Sequence, residues 1–254
     1  MCYDIKASLE GQLAKAKKDQ DYLAVEEILE KLIPFTDLPI HHASGFSHPD
    51  LLIYTDRSPN FPEVATWGLV PYWVHDDEQR KKIWNSTLNA RGETIFEKPA
   101  FKTAAHNNRC IIYIDGFYEH HHFKGKTYPF FVHLKNNEPM ALAGLWSEYE
   151  NNEGGTSITF TIVTTKGNSL MAKIHNNPKL KEARMPLLLN DTTMDTWLSN
   201  TDQHTIEETI QPYPKNELKA HTVRRLRGKE YLGNIAEISH PFEYAELEFN
   251  NQEY

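Results

Sequence analysis

Arg109–His120 reads RCIIYIDGFYEH. Cys110 to Ile114 are apolar without interruption and rich in β-branched side chains, and Asp115-Gly116 follows at once. A run of this length and composition is a strand, not a helix. Working outward, TYPFFVHLK (127–135), MALAGLW (140–146) and SITFTIVTT (157–165) repeat the texture downstream, and LLIYT (51–55) and EVATWGLVP (63–71) repeat it upstream. The connections HHFKGK (121–126), KNNEP (135–139) and ENNEGG (150–155) carry the Gly, Pro and Asn of tight turns. Short strands joined by short turns predict hairpins, and hence an antiparallel sheet or barrel-like core.

Helices are predicted at the periphery. Leu9, Leu13 and Ala16, then Leu23, Ile28, Leu29 and Leu32, recur at helical spacing over residues 8–33. Asp19-Gln20-Asp21 is expected to divide them into two helices, and Pro34 to end the second. KGNSLMAKIH (166–175) reads as a short helix and RMPLLLN as a strand. TTMDTWLS reads as a helix with Thr192 or Thr193 at its N-cap, and LKAHTVRRL (218–226) as a last strand. The fold class expected is α+β. Residues 1–254 are read as one β-rich domain, with a helical segment near 8–33 and an acidic tail near 243–254.

The chain has 254 residues, long enough to bury a core without staples. Hydrophobic residues make up 39% and charged residues 24%, which excludes a disordered chain. No apolar run approaches a membrane span, and the start, MCYDIKASLE, lacks a signal-peptide pattern, so a reducing cytoplasm is expected. Two cysteines exclude a disulfide scaffold and a multi-cysteine zinc site. The net charge of −8 argues against broad nucleic-acid binding. Two local basic stretches offset this: Lys166 to Arg184, and Lys219, Arg224, Arg225, Arg227 and Lys229.

Cys2 is the most informative residue. Removal of Met1 would leave an α-amine and a thiol on one carbon frame, a 1,2-aminothiol whose groups have reference pKa values of about 8 and 8.5. Its amine condenses with an aldehyde to an imine, and its thiol then closes a five-membered thiazolidine, an intramolecular step favoured by preset geometry. The plain alternative is an ordinary residue at a frayed terminus. Trp67 and Trp73 in WGLVPYW fit either a stacking surface for bases or a core strand. In LNARGET, Asn89 and Arg91 suit polar and phosphate groups, or form a turn with Glu93 as an ion pair. Glu119, after an apolar strand, is placed to act as acid and base or to be a solvated strand end. His175 is a proton carrier or a structural histidine, with Arg184 just beyond it.

Met1-Cys2, WGLVPYW, NARGET, RCIIYIDGFYE and IH…RMP, in that order, resemble the SRAP family (SOS response-associated peptidase, or abasic-site-processing proteins). The resemblance implies a β-rich domain that binds abasic sites in single-stranded DNA and links to them covalently as a thiazolidine. It implies removal of Met1 by a peptidase-like activity of the protein itself or by other means. By the resemblance Cys2 is the nucleophile, Asn89 holds the cysteine and opened sugar, Glu119 is the acid/base, and His175 assists ring opening. Arg91 and Arg184 match phosphate-contacting arginines, and Trp67 lies in the segment that stacks on or wedges the DNA. It implies no metal or organic cofactor, no membrane partner, a monomer, and a cytoplasmic location at the nucleoid when bound to DNA. Three departures stand out. Tyr3-Asp4 replaces a usual Gly-Arg and so removes a phosphate contact. His120 replaces a Trp. Eight residues, Asn176 to Ala183, separate His175 from Arg184 where one is common.

Two other readings remain. One is an N-terminal-nucleophile cysteine amidohydrolase that does not act on DNA, with Asn89 as oxyanion donor. The other is a zinc module using His41, His42, His120, His121 and His122. Contiguous histidines on a strand face opposite sides, which speaks against it.

Overall fold

The RCIIYIDGFYEH run forms two strands, not one. In the computed structural model, which describes residues 2–150 and 154–247, the chain breaks at Asp115. The expectations for Met1, for the centre of the 150–155 turn and for the end of the acidic tail lie outside the described residues. In chain order the strands are β1 (Asp4–Ala7), β2 (Ile40–Ser44), β3 (Asp50–Thr55), β4 (Glu63–Trp67) and β5 (Asn89–Arg91). Then come β6 (Arg109–Ile114), β7 (Gly116–Phe123), β8 (Lys126–Leu134), β9 (Met140–Glu150) and β10 (Thr156–Lys166). β11 (Arg184–Pro186), β12 (Leu188–Leu189) and β13 (Leu218–Thr222) complete the set.

β10 pairs with β4, β4 with β3, β3 with β6, β6 with β9, and β9 again with β10. This ring is a closed five-stranded barrel, which leaves no open edge. The pairing is antiparallel except where β10 runs parallel to β4 and to β5. β7 leaves the barrel for a second sheet in the order β13-β8-β7-β1-β2, antiparallel throughout. Asp115 is the pivot. Its carboxylate accepts hydrogen bonds from the Ser8 amide and from Ser8 Oγ, the latter at 2.7 Å. Gly116 is required there, because a Cβ would lie 2.5 Å from the Val132 carbonyl oxygen.

The barrel is filled by Trp67, Trp146, Phe160, Ile112, Leu142 and Ile162. Its outer face is covered through Tyr54, Leu145, Val163 and Trp197. Trp197 Nε1 donates to the Cys110 and Gly144 carbonyls at 3.1 and 3.2 Å, tying helix Asp191–Leu198 to two strands. That helix is capped by Asn190, with Thr193 returning the bond as a capping box, and not by Thr192 or Thr193 as expected.

The helical segment divides twice. Helices Leu9–Gln12 and Ala14–Lys18 are followed by Tyr22–Lys31. Gln20 takes a left-handed φ of 57°, and Asp21 caps the third helix by accepting from Ala24 N at 3.0 Å. Buried Gln12 donates to the Tyr113 carbonyl and accepts from Leu52 N at 2.8 Å, which anchors the helices to the barrel. The strand expected over 63–71 ends at Trp67, where Gly68 has φ +123° and a Cβ would strike the Trp84 indole. Among the described residues no helix is long and apolar enough to cross a membrane.

Candidate functional site

β1 places the site. It lies between β2 and β7, with Asp4 opposite Tyr118 and Ile5 opposite Phe117. That register sets the residues just before Asp4 beside Glu119 and His120. Cys2 is 1% exposed and packs into the barrel core. Its carbonyl accepts from Asn89 Nδ2 at 2.8 Å. Asn89 is delivered by β5, which pairs with β10 at Ile162. Asn89 Oδ1 is buried and has no hydrogen-bond partner among the described residues. A buried acceptor without a donor costs about 1–3 kcal/mol, so a donor from a ligand or a processed terminus would be stabilised there.

Glu119 and His175 form the second half. Glu119 is 7% and His175 6% exposed. Glu119 Oε1 accepts from the His120 amide at 2.9 Å, which fixes the carboxylate on its own strand. His175 follows helix Ser169–Ile174, whose start is capped by Asn168 accepting from Met171 N at 2.9 Å. His175 Nδ1 lies 3.1 Å from the Arg184 carbonyl, 3.2 Å from the Arg184 amide and 3.4 Å from Glu119 Oε2. The ring therefore has a partner whether Nδ1 carries a proton or not, as a proton carrier requires. Burial pushes its pKa down, with the Glu119 charge opposing, so the ring is neutral at pH 7. Burial pushes the Cys2 thiol far up, and the Glu119 charge adds to this.

Two clefts meet at Tyr3. One, of about 510 Å³, is lined by Glu119, His120, His122, His175, Arg225 and Arg227. The other, of about 440 Å³, is lined by Asn85, Asn89, Arg91, Lys98 and Phe101. Asn89 thus holds Cys2 on one side of Tyr3 and Glu119 pairs with His175 on the other, with the Glu119 charge acting on the Cys2 thiol and Arg91 exposed on the rim.

Two residues assigned to DNA lie elsewhere. Trp67 is fully buried, donates from Nε1 to the Leu88 carbonyl at 2.8 Å and stacks on Phe160. It has no face to offer a base, and the core reading holds. The exposed aromatics of the same run are Tyr72 and Trp73, at 62% and 39%. Arg184 is 3% exposed. Glu93 grips its guanidinium with two oxygens at 2.7 and 2.8 Å, and Thr164 O accepts from it at 2.9 Å. Arg184 is a clamp between β10, β11 and the turn after β5, not an open phosphate ligand.

The 176–183 loop is pinned to β7, since Asn176 accepts from the His122 amide at 2.7 Å and donates to its carbonyl at 3.0 Å. His121 turns the other way, its Nδ1 lying 3.0 Å from the Lys173 carbonyl. Among the described residues no three His, Cys, Asp or Glu side chains form a metal-holding group. Sequence reading missed the contribution of Arg225 and Arg227 to this cleft. The signal available was their cluster of positive charge on an acidic chain.

The arrangement is a buried carboxylate–imidazole pair beside an anchored cysteine backbone, held on a barrel with a second sheet. The chain belongs to the SOS response associated peptidase (SRAP) family, whose pattern it matches over residues 32–229. It is 38% identical over 179 residues to abasic site processing protein YoqW of Bacillus subtilis, covering 69% of this chain and 75% of that one. It is 36% identical to abasic site processing protein YoaM of the same organism, covering 69% and 74%. A crystal structure of a protein from Bacteroides thetaiotaomicron superposes with a TM-score of 0.79 at 26% identity, covering 95% of this chain and all of that one.

Proposed function

We propose that this protein processes abasic sites in single-stranded DNA by forming a thiazolidine through Cys2. The observation that carries the reading is the grip of Asn89 on the Cys2 carbonyl at 2.8 Å, beside the buried Glu119–His175 pair. The relatives named as abasic site processing proteins support the substrate class.

First the Met1–Cys2 peptide bond is hydrolysed, water supplying OH to the methionine carboxyl and H to the new amine. The freed amine can donate to the orphan Asn89 Oδ1. Glu119 and His175 then move the proton that opens the closed sugar to its aldehyde. The amine adds to C1′ and water leaves, giving an imine. The S–H adds across that C=N bond: sulfur bonds to carbon, nitrogen gains the proton, and no electrons are exchanged with a third party. No metal or organic cofactor takes part.

The order of attack follows from the thiol. Burial and Glu119 keep it protonated, so a thiolate is not the first nucleophile. The amine attacks first, and Glu119 relays the thiol proton to the imine nitrogen at closure. Incubation with a single-stranded oligonucleotide carrying an abasic site, followed by denaturing electrophoresis, tests the scheme. A shifted band is expected, lost completely in Cys2→Ala, with mass spectrometry finding Cys2 at the terminus. A missing band, or one that survives in Cys2→Ala, overturns it.

A further inference from the structure

Asp4 sits two residues from the nucleophile and is 3% exposed. Burying a carboxylate is costly unless it is paired and hydrogen-bonded. Its Oδ1 lies 3.0 Å from His42 Nε2, and both its oxygens lie 3.2 Å from Arg227 Nη2. Burial raises the Asp4 carboxyl pKa, but the His42 hydrogen bond and the Arg227 charge outweigh it, so the group stays ionised. His42 is held in turn by Tyr231, whose hydroxyl is 2.9 Å from Nδ1.

These contacts draw a distant segment to the site. Val223 and Leu226 pack with Ile238 on Tyr118 and Phe131, which seats residues 223–238 on the outside of the second sheet. Asn234 Oδ1 accepts from the His41 and His42 amides at 2.6 and 3.1 Å and locks the far end. With Leu226 turned into the protein, Arg225 and Arg227 both line the cleft that holds Glu119 and His175. Arg225 is braced by donating to the Thr127 carbonyl and by the rings of Tyr128 and Tyr244, 5.0 and 5.3 Å away. Arg227 meets Asp4 through one nitrogen, and its side chain remains 61% exposed. A pair meant only as a structural clamp would use the guanidinium fork, as Arg184 does on Glu93.

We propose that Arg225 and Arg227 are the phosphate-binding wall of this cleft, and that Asp4 is the positioning residue that aims Arg227 into it. The inference rests on the reading above, and its ligand is the phosphodiester of a single strand.

Salt dependence tests it. Binding of a fluorescein-labelled single-stranded oligonucleotide without an abasic site is followed by anisotropy from 50 to 200 mM salt, with the full chain. Each phosphate contact contributes roughly 0.7 to the slope of log K against log salt for single strands. The double variant Arg225→Gln/Arg227→Gln is expected to bind about tenfold weaker or worse at low salt. Its slope is expected to be smaller by about 1.4. Arg227→Lys keeps the slope. Arg224→Gln, whose guanidinium lies 4.4 Å over the Phe242 ring, binds as the parent does. Asp4→Asn keeps the charge of Arg227 but not its aim, so affinity falls with the slope retained. A parental slope in the double variant, or an equal loss in Arg224→Gln, overturns the wall. Parental affinity in Asp4→Asn overturns the positioning role. If the parent crosslinks abasic DNA while the double variant keeps its slope, only this inference fails. If the parent neither binds nor crosslinks, the functional reading falls with it.

Discussion

The two clefts that meet at Tyr3 are built from different material. On the Glu119–His175 side, both of these groups are buried and His175 Nδ1 has alternative proton partners within 3.4 Å. On the Asn89–Arg91 side, one amide holds the backbone of Cys2 while Arg91 stands in solvent. One side is suited to moving protons and the other to holding chain. The two arginines of the NARGET and RMP motifs repeat the contrast. Arg184 is spent on Glu93 inside the protein, whereas Arg91 is open.

The largest effect should come from the proton side. Glu119→Gln keeps shape and the His120 amide contact but loses the base, so crosslinking at saturating DNA should slow by about 10²–10⁴-fold. Single-turnover electrophoresis measures this, and a rate within a few-fold of the parent would erase the distinction between the clefts. Next come the two arginines. Arg184→Met should lower stability by about 2 kcal/mol, less than a fully buried pair would cost because Glu93 reaches solvent. Arg91→Gln should leave stability within about 0.5 kcal/mol while weakening the encounter with DNA. Thermal melts paired with anisotropy titrations check both, and a reversed pattern would exchange their roles.

The smallest effect is on stability with pH. Burial depresses the pKa of His120, His121, His133, His175 and His221 in the folded chain. Below about pH 6.5 the unfolded chain binds protons that the folded chain does not. Stability should therefore be complete above that value and fall as pH drops from about 6.5 toward 5. A melting temperature that is flat over this window would show those rings to be solvated. Asp4, whose pKa is lowered, acts in a separate window: its contribution is present above the normal Asp value and lost only as pH falls further.

Much of the architecture was legible. β-Branched and aromatic runs bounded by turn residues mark β3, β8, β9 and β10 to within a few positions, because strands buried on both faces read as apolar runs and tight turns need Gly, Asn or Pro. The split of 109–120 was not legible. Both halves read as strand, and Ser8 at Asp115 and the backbone contact at Gly116 mark where the chain passes from one sheet to the other. At the site, Cys2, Asn89, Glu119 and His175 follow from motif order. Trp67 and Arg184 illustrate the reverse, since an indole and a guanidinium serve a core or a ligand equally well until their neighbours are known.

The sequence alone determined the chemistry on offer: a cysteine at position 2, a carboxyl, an imidazole and a surplus of local positive charge. These are properties of side chains and of local pattern, carried by a few residues at a time. The tertiary structure decided which of these groups meet. Asp4 with Arg227, and Arg184 with Glu93, lie far apart along the chain and are joined by ion pairs with one buried partner each, which no local pattern encodes. Burial also set the direction of the Cys2 and His175 pKa shifts, because desolvation depends on everything packed around a group and not on its neighbours in sequence.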